Sequence, residues 1–200
     1  TTKLMAVGDA SSTATIYEMT TTSSEYDTFT SRGTTNSEDL KLVNVNGQLV
    51  VAEEGQTLKV WDGTGSFANI ATETGTTPNP TGGVAISAFG RLFVTSSDGT
   101  TVYGSELQPD PKTTGCNWDN FFIDTTGNSG ATAKDGWTYG ADFITALGAL
   151  QDLFVIFGNE SILIFNDVNG TPTLVDSITG VGCVNQHTVV NTGNDLLFLS

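Results

Sequence analysis

Residues 144–165 read ITALGALQDLFVIFGNESILIF. Two apolar runs, 153–157 and 161–165, flank Gly158-Asn159-Glu160. Each run is too short for a helix and rich in Phe, Val and Ile. The stretch therefore predicts two buried strands joined by a tight turn. The pattern recurs along the chain. It appears as Gln48-Leu49-Val50-Val51-Ala52, a polar turn at 53–56, then Leu58-Lys59-Val60-Trp61. It appears again as Arg91-Leu92-Phe93-Val94-Thr95, a turn at 96–99, then Thr101-Val102-Tyr103. The chain opens with Lys3-Leu4-Met5-Ala6-Val7, a turn through 8–12, and Thr15-Ile16-Tyr17. It closes on half a unit, Asp195-Leu196-Leu197-Phe198-Leu199.

The first Leu of each unit marks the period. Leu4, Leu49, Leu92, Leu153 and Leu196 are separated by 45, 43, 61 and 43 residues. The long gap places an insertion between Leu92 and Leu153. A strand-and-turn repeat of about 40 to 50 residues has the spacing of a β-propeller blade. One blade cannot bury both faces of its small sheet, so blades must stack. The expected fold is all-β, a β-propeller or part of one, with hairpin-based blades of about 43 residues. The alternative is a β-sandwich whose hairpins look alike. The units fall near 1–39, 40–83, 84–140, 141–186 and a partial 187–200, with the insertion within 104–140.

Composition agrees with strands and turns. Only 14% of residues are charged, and Gly, Thr, Asn and Ser are abundant. A hydrophobic fraction of 38% can fill a core. No stretch reaches the roughly 20 apolar residues of a membrane helix, so no membrane segment is expected. The formal charge is −15, from 22 acidic and 7 basic residues. Phosphate neutralisation needs clustered Lys and Arg, and here they are scattered, which excludes tight DNA binding by this segment. Cys116 and Cys183 match no metal spacing, and two free thiols are expected.

Between the hairpins the reading is coarser. Leu42-Val43-Asn44-Val45 and Val84-Ala85-Ile86-Ser87 read as strands that precede their hairpins through turns at Asn46-Gly47 and Ala88-Phe89-Gly90. Residues 20–39 are polar and read as short outer strands or a surface loop. Residues 67–70 and 173–178 read as outer strands, and 72–83 as a linker. Residues 184–190 read as a strand before a turn at 191–194. Residues 104–140 form the longest irregular stretch and hold many aromatics. Trp118, Phe121, Phe122, Trp137 and Tyr139 are the candidate contacts there, facing a partner, a ligand or the body of the protein itself.

Motifs with chemical potential are few. Trp61-Asp62 lacks the upstream Gly-His pair of the propeller family that the dipeptide names, and His187 is the only His. Ser96-Ser97-Asp98-Gly99 reads as an ordinary turn. Asp167-Val168-Asn169-Gly170 begins like a calcium loop but lacks the closing acid. Gly180-Val181-Gly182 opens no helix, so no phosphate cradle is expected. Glu53-Glu54 is expected in a solvated turn. A general base at His187 needs a nucleophile and an orienting carboxylate that the sequence does not place. No metal or cofactor site and no catalytic residue is assigned.

One ordered set of motifs is more specific. Val102-Tyr103-Gly104-Ser105 is followed by Asp110-Pro111 and Asn117-Trp118-Asp119. Then come Phe143-Ile144-Thr145-Ala146-Leu147, the run 152–157, Gly158-Asn159-Glu160-Ser161, and Gly182-Cys183 through His187 to Leu196-Leu197-Phe198-Leu199. This order resembles the propeller of packaged-DNA stabilisation and tail nozzle proteins of short-tailed phages. The resemblance covers roughly residues 84–200, and residues 1–83 fit only through the repeat. It implies a structural virion protein of the tail, not an enzyme, with no cofactor. Copies would form a sixfold homo-oligomeric ring around the DNA exit channel and contact adaptor, needle or fibre proteins. DNA would pass without being gripped, a use for the acidic balance. A carbohydrate- or receptor-binding propeller is the alternative, with Trp118, Trp137 and Tyr139 stacking on sugars. A propeller hydrolase or lyase is a third class and would need carboxylates clustered with His187.

The phase of the repeat yields a prediction. The chain opens and closes on the same part of the unit, so the 200 residues are expected to belong to a longer propeller. The intact mass of the natural protein is expected to exceed 21.0 kDa, and a mass at that value would count against it.

Overall fold

A computed structural model describes residues 4–9, 13–20, 28–72, 78–122, 142–169 and 172–200, with backbone alone at 9, 20 and 119–122. The fold is all-β and is built from antiparallel sheets that follow one another along the chain. The first sheet holds β1 (Leu4–Asp9), β2 (Ala14–Thr20) and β3 (Thr28–Thr35). The second runs β4 (Leu40–Val45), β5 (Gln48–Glu53), β6 (Lys59–Trp61) and β7 (Ala68–Asn69). The third runs β8 (Ala85–Ala88), β9 (Arg91–Thr95), β10 (Val102–Gly104) and β11 (Asp119–Phe122). The fourth runs β12 (Ile144–Leu150), β13 (Leu153–Gly158), β14 (Ser161–Asn166) and β15 (Thr173–Thr179). A last hairpin pairs β16 (Val190–Asn191) with β17 (Leu196–Leu197). Each sheet is a simple meander, and none closes on itself.

The turns explain the registers. Val45 pairs with Gln48, so Asn46-Gly47 form a two-residue loop. Their φ angles of 49° and 79° suit the type I′ turn that matches strand twist. Ala88 pairs with Arg91 across Phe89-Gly90, and both loop residues again have positive φ. Leu150 pairs with Leu153 across Gln151-Asp152.

Packing follows from alternation. Neighbouring residues of a strand point to opposite faces of the sheet. In β9, Leu92 and Val94 join a core with Val50, Ala52 and Val60 of the second sheet. Phe93, between them, joins Phe154, Ile156 and Leu163 of the fourth. In β13, Phe154 and Ile156 face the third sheet, while Val155 and Phe157 meet Cys183, Leu196 and Phe198. In β5, Val50 and Ala52 face the third sheet and Val51 meets Ile16 of the first. A strand covered on both sides has no polar face to show, which is why these runs are continuously apolar. The leading strands lie side by side: β4 against β8, β8 against β12, and β12 against β16 and β17.

Several expectations are refined. Residues 28–35 form a full strand, β3, rather than a loop. The irregular stretch after residue 104 is interrupted by β11, which completes the third sheet; residues 123–141 lie outside the described residues. Residues 184–189 are not a strand, and Val190 alone of the expected run enters one, β16. A short 3₁₀ turn, Gln186–Thr188, forms there because the Asn185 side chain accepts a hydrogen bond from the His187 N–H at 2.9 Å. Glu53 is not solvated: it closes β5 and is buried, while the Glu54 carboxylate accepts the Gly83 N–H at 3.0 Å.

Phe154 is fully buried, with its ring 4.6 Å from Phe93. Phe154→Ala is expected to cost about 3 to 5 kcal/mol by loss of contacts and formation of a cavity. Val190→Ala, at a site 54% exposed, is expected to change stability by less than about 0.5 kcal/mol. Urea unfolding of both variants checks the contrast, and equal losses would show that the faces are not covered as described.

Candidate functional site

The aromatic candidates separate. Trp118 is 2% exposed and packs between the second and third sheets. Its indole N–H donates to Asn79 Oδ1 at 2.8 Å. It therefore has no open face for a sugar, and its role is packing. The backbone of Phe121 and Phe122 lies in β11, while their side chains lie outside the described residues, as do Trp137 and Tyr139 altogether.

The segment leading to Trp118 folds back on the body through polar latches. Ser105 Oγ accepts the Leu92 N–H, and its backbone N–H donates to the Leu92 carbonyl, each at 2.9 Å. Asp110 accepts from the Gln48 amide at 2.7 Å, and Gln48 Oε1 accepts the Lys112 N–H at 3.0 Å. The Ala71 N–H donates to the Pro111 carbonyl, and Lys112 pairs with Asp62. The Gln48 hydrogen bond holds Asp110 below the usual carboxylate range, and Lys112 with Thr64 does so for Asp62. These groups fasten the third sheet's connection to the second sheet.

Asp142 makes the densest latch. Its carboxylate accepts the N–H groups of Phe143, Asn159 and Glu160 and the Ser161 hydroxyl, at 2.6 to 3.0 Å. The start of β12 is thereby tied to the β13–β14 turn. Burial pushes its pKa up, but the hydrogen bonds from Ser161 and the backbone outweigh that and leave it lowered.

A different group of residues forms a shallow concavity. The side-by-side leading strands line an open-sided cavity of about 240 Å³. Lys41 enters from β4, Ile86 and Ser87 from β8, Leu147 from β12, and Asn191 and Leu196 from the last hairpin. Lys41 shares its face of β4 with Val43 and Val45, which pack toward the third sheet. Burial lowers its pKa from the ordinary lysine value. Gln186 closes one wall. Its Oε1 accepts the Leu147 N–H at 2.7 Å and its amide donates to the Leu147 carbonyl at 3.0 Å. Asn191 donates to the Ala149 carbonyl at 2.6 Å. These side chains stand in for a neighbouring strand along the open edge of β12. Nearby, His187 Nε2 lies 3.1 Å from Asp39 Oδ1, joining the turn before β16 to the start of β4.

Both cysteines are buried free thiols, and Cys183 Sγ lies 3.3 Å from Thr188 Oγ1. Among the described residues no three metal-ligating side chains come together. Asp98 caps its own turn by accepting from Ser96 and Thr100, and Asn169 accepts from Arg91 across to the third sheet. The sequence did not single out Lys41, Ser87 or Gln186. Lys41 interrupts an apolar strand, which was the one available signal. No family model matches the chain, and neither does any curated protein.

Asp142→Asn is expected to cost about 1 to 2 kcal/mol at neutral pH, since it weakens hydrogen bonds to a partly exposed charge. The lowered native pKa means that this stabilisation is complete above the unfolded value of about 4 and is lost as pH falls through the native one. Chemical unfolding from pH 7 to pH 2 should therefore show a smaller acid loss in the variant. Superimposable pH profiles would remove Asp142 from that role.

Proposed function

We propose that this chain is a run of β-propeller blades that serves as a structural part of a phage tail nozzle, the distal channel that retains and then passes the packaged genome. The observation that carries the reading is the stacking. The second strands of the second, third and fourth sheets are buried on both faces, and the leading strands β4, β8 and β12 lie side by side. That is how blades pack around an axis. The motif order that resembles tail proteins adds support, because its residues do architectural work. Ser105 pins β9, Asp110 fastens the connection, and Trp118 fills the gap between sheets. Such latches suit a rigid wall. The charge of −15 suits a surface along which DNA slides without sticking. Copies form a homo-oligomeric ring, sixfold by resemblance, within the virion, joined to other tail proteins.

Negative-stain microscopy of the full-length product, or imaging of the assembled particle, tests this reading. The expected result is a ring of copies around an open channel. Isolated monomers in both preparations would overturn it.

A further inference from the structure

We propose that the cavity between β4, β8, β12 and the last hairpin is a binding site for a small organic carboxylate, held by the Lys41 amine and the Ser87 hydroxyl. The proposal stands on the cavity itself and does not rest on the tail reading.

Three observations lead to this ligand class. First, the lining offers open donors: the Lys41 amine donates only, and the Ser87 hydroxyl can donate as well as accept. Gln186 and Asn191 spend their amides on the Leu147 and Ala149 backbone. Among the described residues, no hydrogen bond or ion pair reaches the Lys41 amine or the Ser87 hydroxyl. An ammonium and an exposed hydroxyl lining one cavity suit an acceptor with negative charge. Second, none of the lining residues is acidic, so nothing in the wall neutralises the lysine. Asp39 stands two residues away, but its carboxylate is 84% exposed and turned to His187. Burial already disfavours the lone ammonium, and an ion-paired ligand would relieve that cost.

Third, size and wall chemistry narrow the choice. A volume of about 240 Å³ lies below the roughly 300 to 1,000 Å³ of drug-sized sites. Ile86, Leu147 and Leu196 supply apolar wall. One amine matches one negative charge. A phosphate dianion ordinarily gathers several cations or a row of backbone N–H groups, and this cavity has neither. A carboxylate on a short hydrocarbon body fits both the charge and the wall. The acidic chain as a whole repels anions, so the expected affinity is about millimolar.

The test titrates the full-length protein with butyrate, followed by NMR shifts of cavity-lining methyl groups. Saturable shifts are expected, with butyramide at least about tenfold weaker because it lacks the charge. This comparison uses the unaltered protein and depends on no variant's folding. Lys41→Met, which keeps the length of the side chain, is expected to weaken butyrate by about tenfold, and Ser87→Ala by less. Equal binding of butyrate and butyramide, no saturation with butyrate, or tighter binding of inorganic phosphate would each overturn the assignment. So would a folded Lys41→Met protein that binds as well as the parent.

Discussion

The structure depends on the burial of the second strand of each complete sheet from both sides. Leu92, Phe93 and Val94 send successive side chains into two different cores, and Phe154 to Phe157 do the same one sheet later. No such sheet can stand alone, because each has two apolar faces and water would meet one of them. Each fully buried side chain of this size contributes about 1.5 to 3 kcal/mol relative to exposure. The gain is realised only when the neighbouring sheets are in place. Stability is thus shared between neighbouring sheets.

Stacking apolar faces is nondirectional, so something else must fix the angle and offset between sheets. Polar latches at the sheet margins do this. Asp142 gathers donors from the β13–β14 turn, Gln48 and Asp110 join the second sheet to the third sheet's connection, and Asn169 reaches Arg91 and the Phe89 carbonyl. The first sheet uses an ion pair for the same end. Arg32 donates to the buried Glu18 and lies over the Trp61 ring of the second sheet. Such contacts are short-ranged and geometric. They contribute less energy than the cores but tolerate fewer arrangements.

The same logic explains where a binding site can form. The leading strands meet with open edges, and an open edge must find partners. Gln186 and Asn191 supply them for β12 without filling the space that a further strand would occupy. The cavity is what remains. It collects one cation and one hydroxyl in a wall that is otherwise apolar or already satisfied. In an acidic chain, the cavity presents a local positive charge.

The sequence by itself determined the strands and their hairpins. The runs at 49–52, 92–95 and 153–157 are apolar without interruption, and Asn46-Gly47 specifies its own turn. These are local properties, set by side-chain alternation and backbone φ, and they survive translation into a one-dimensional pattern. The tertiary structure decided what the polar residues do. Trp118 was a candidate contact for a partner, a ligand or the body itself, and it is buried against the body, where Asn79, far along the chain, meets its indole N–H. Residues 184–190 carried a strand pattern, yet Asn185 turns the chain and sends Gln186 into the β12 backbone. Lys41 gave little signal, since a lone lysine in a strand is ordinary until β8, β12 and the last hairpin line a cavity with it. Apolar pattern is periodic and local, so it can be read in order. The partner of a polar group is chosen by proximity in space, and only the folded chain supplies that.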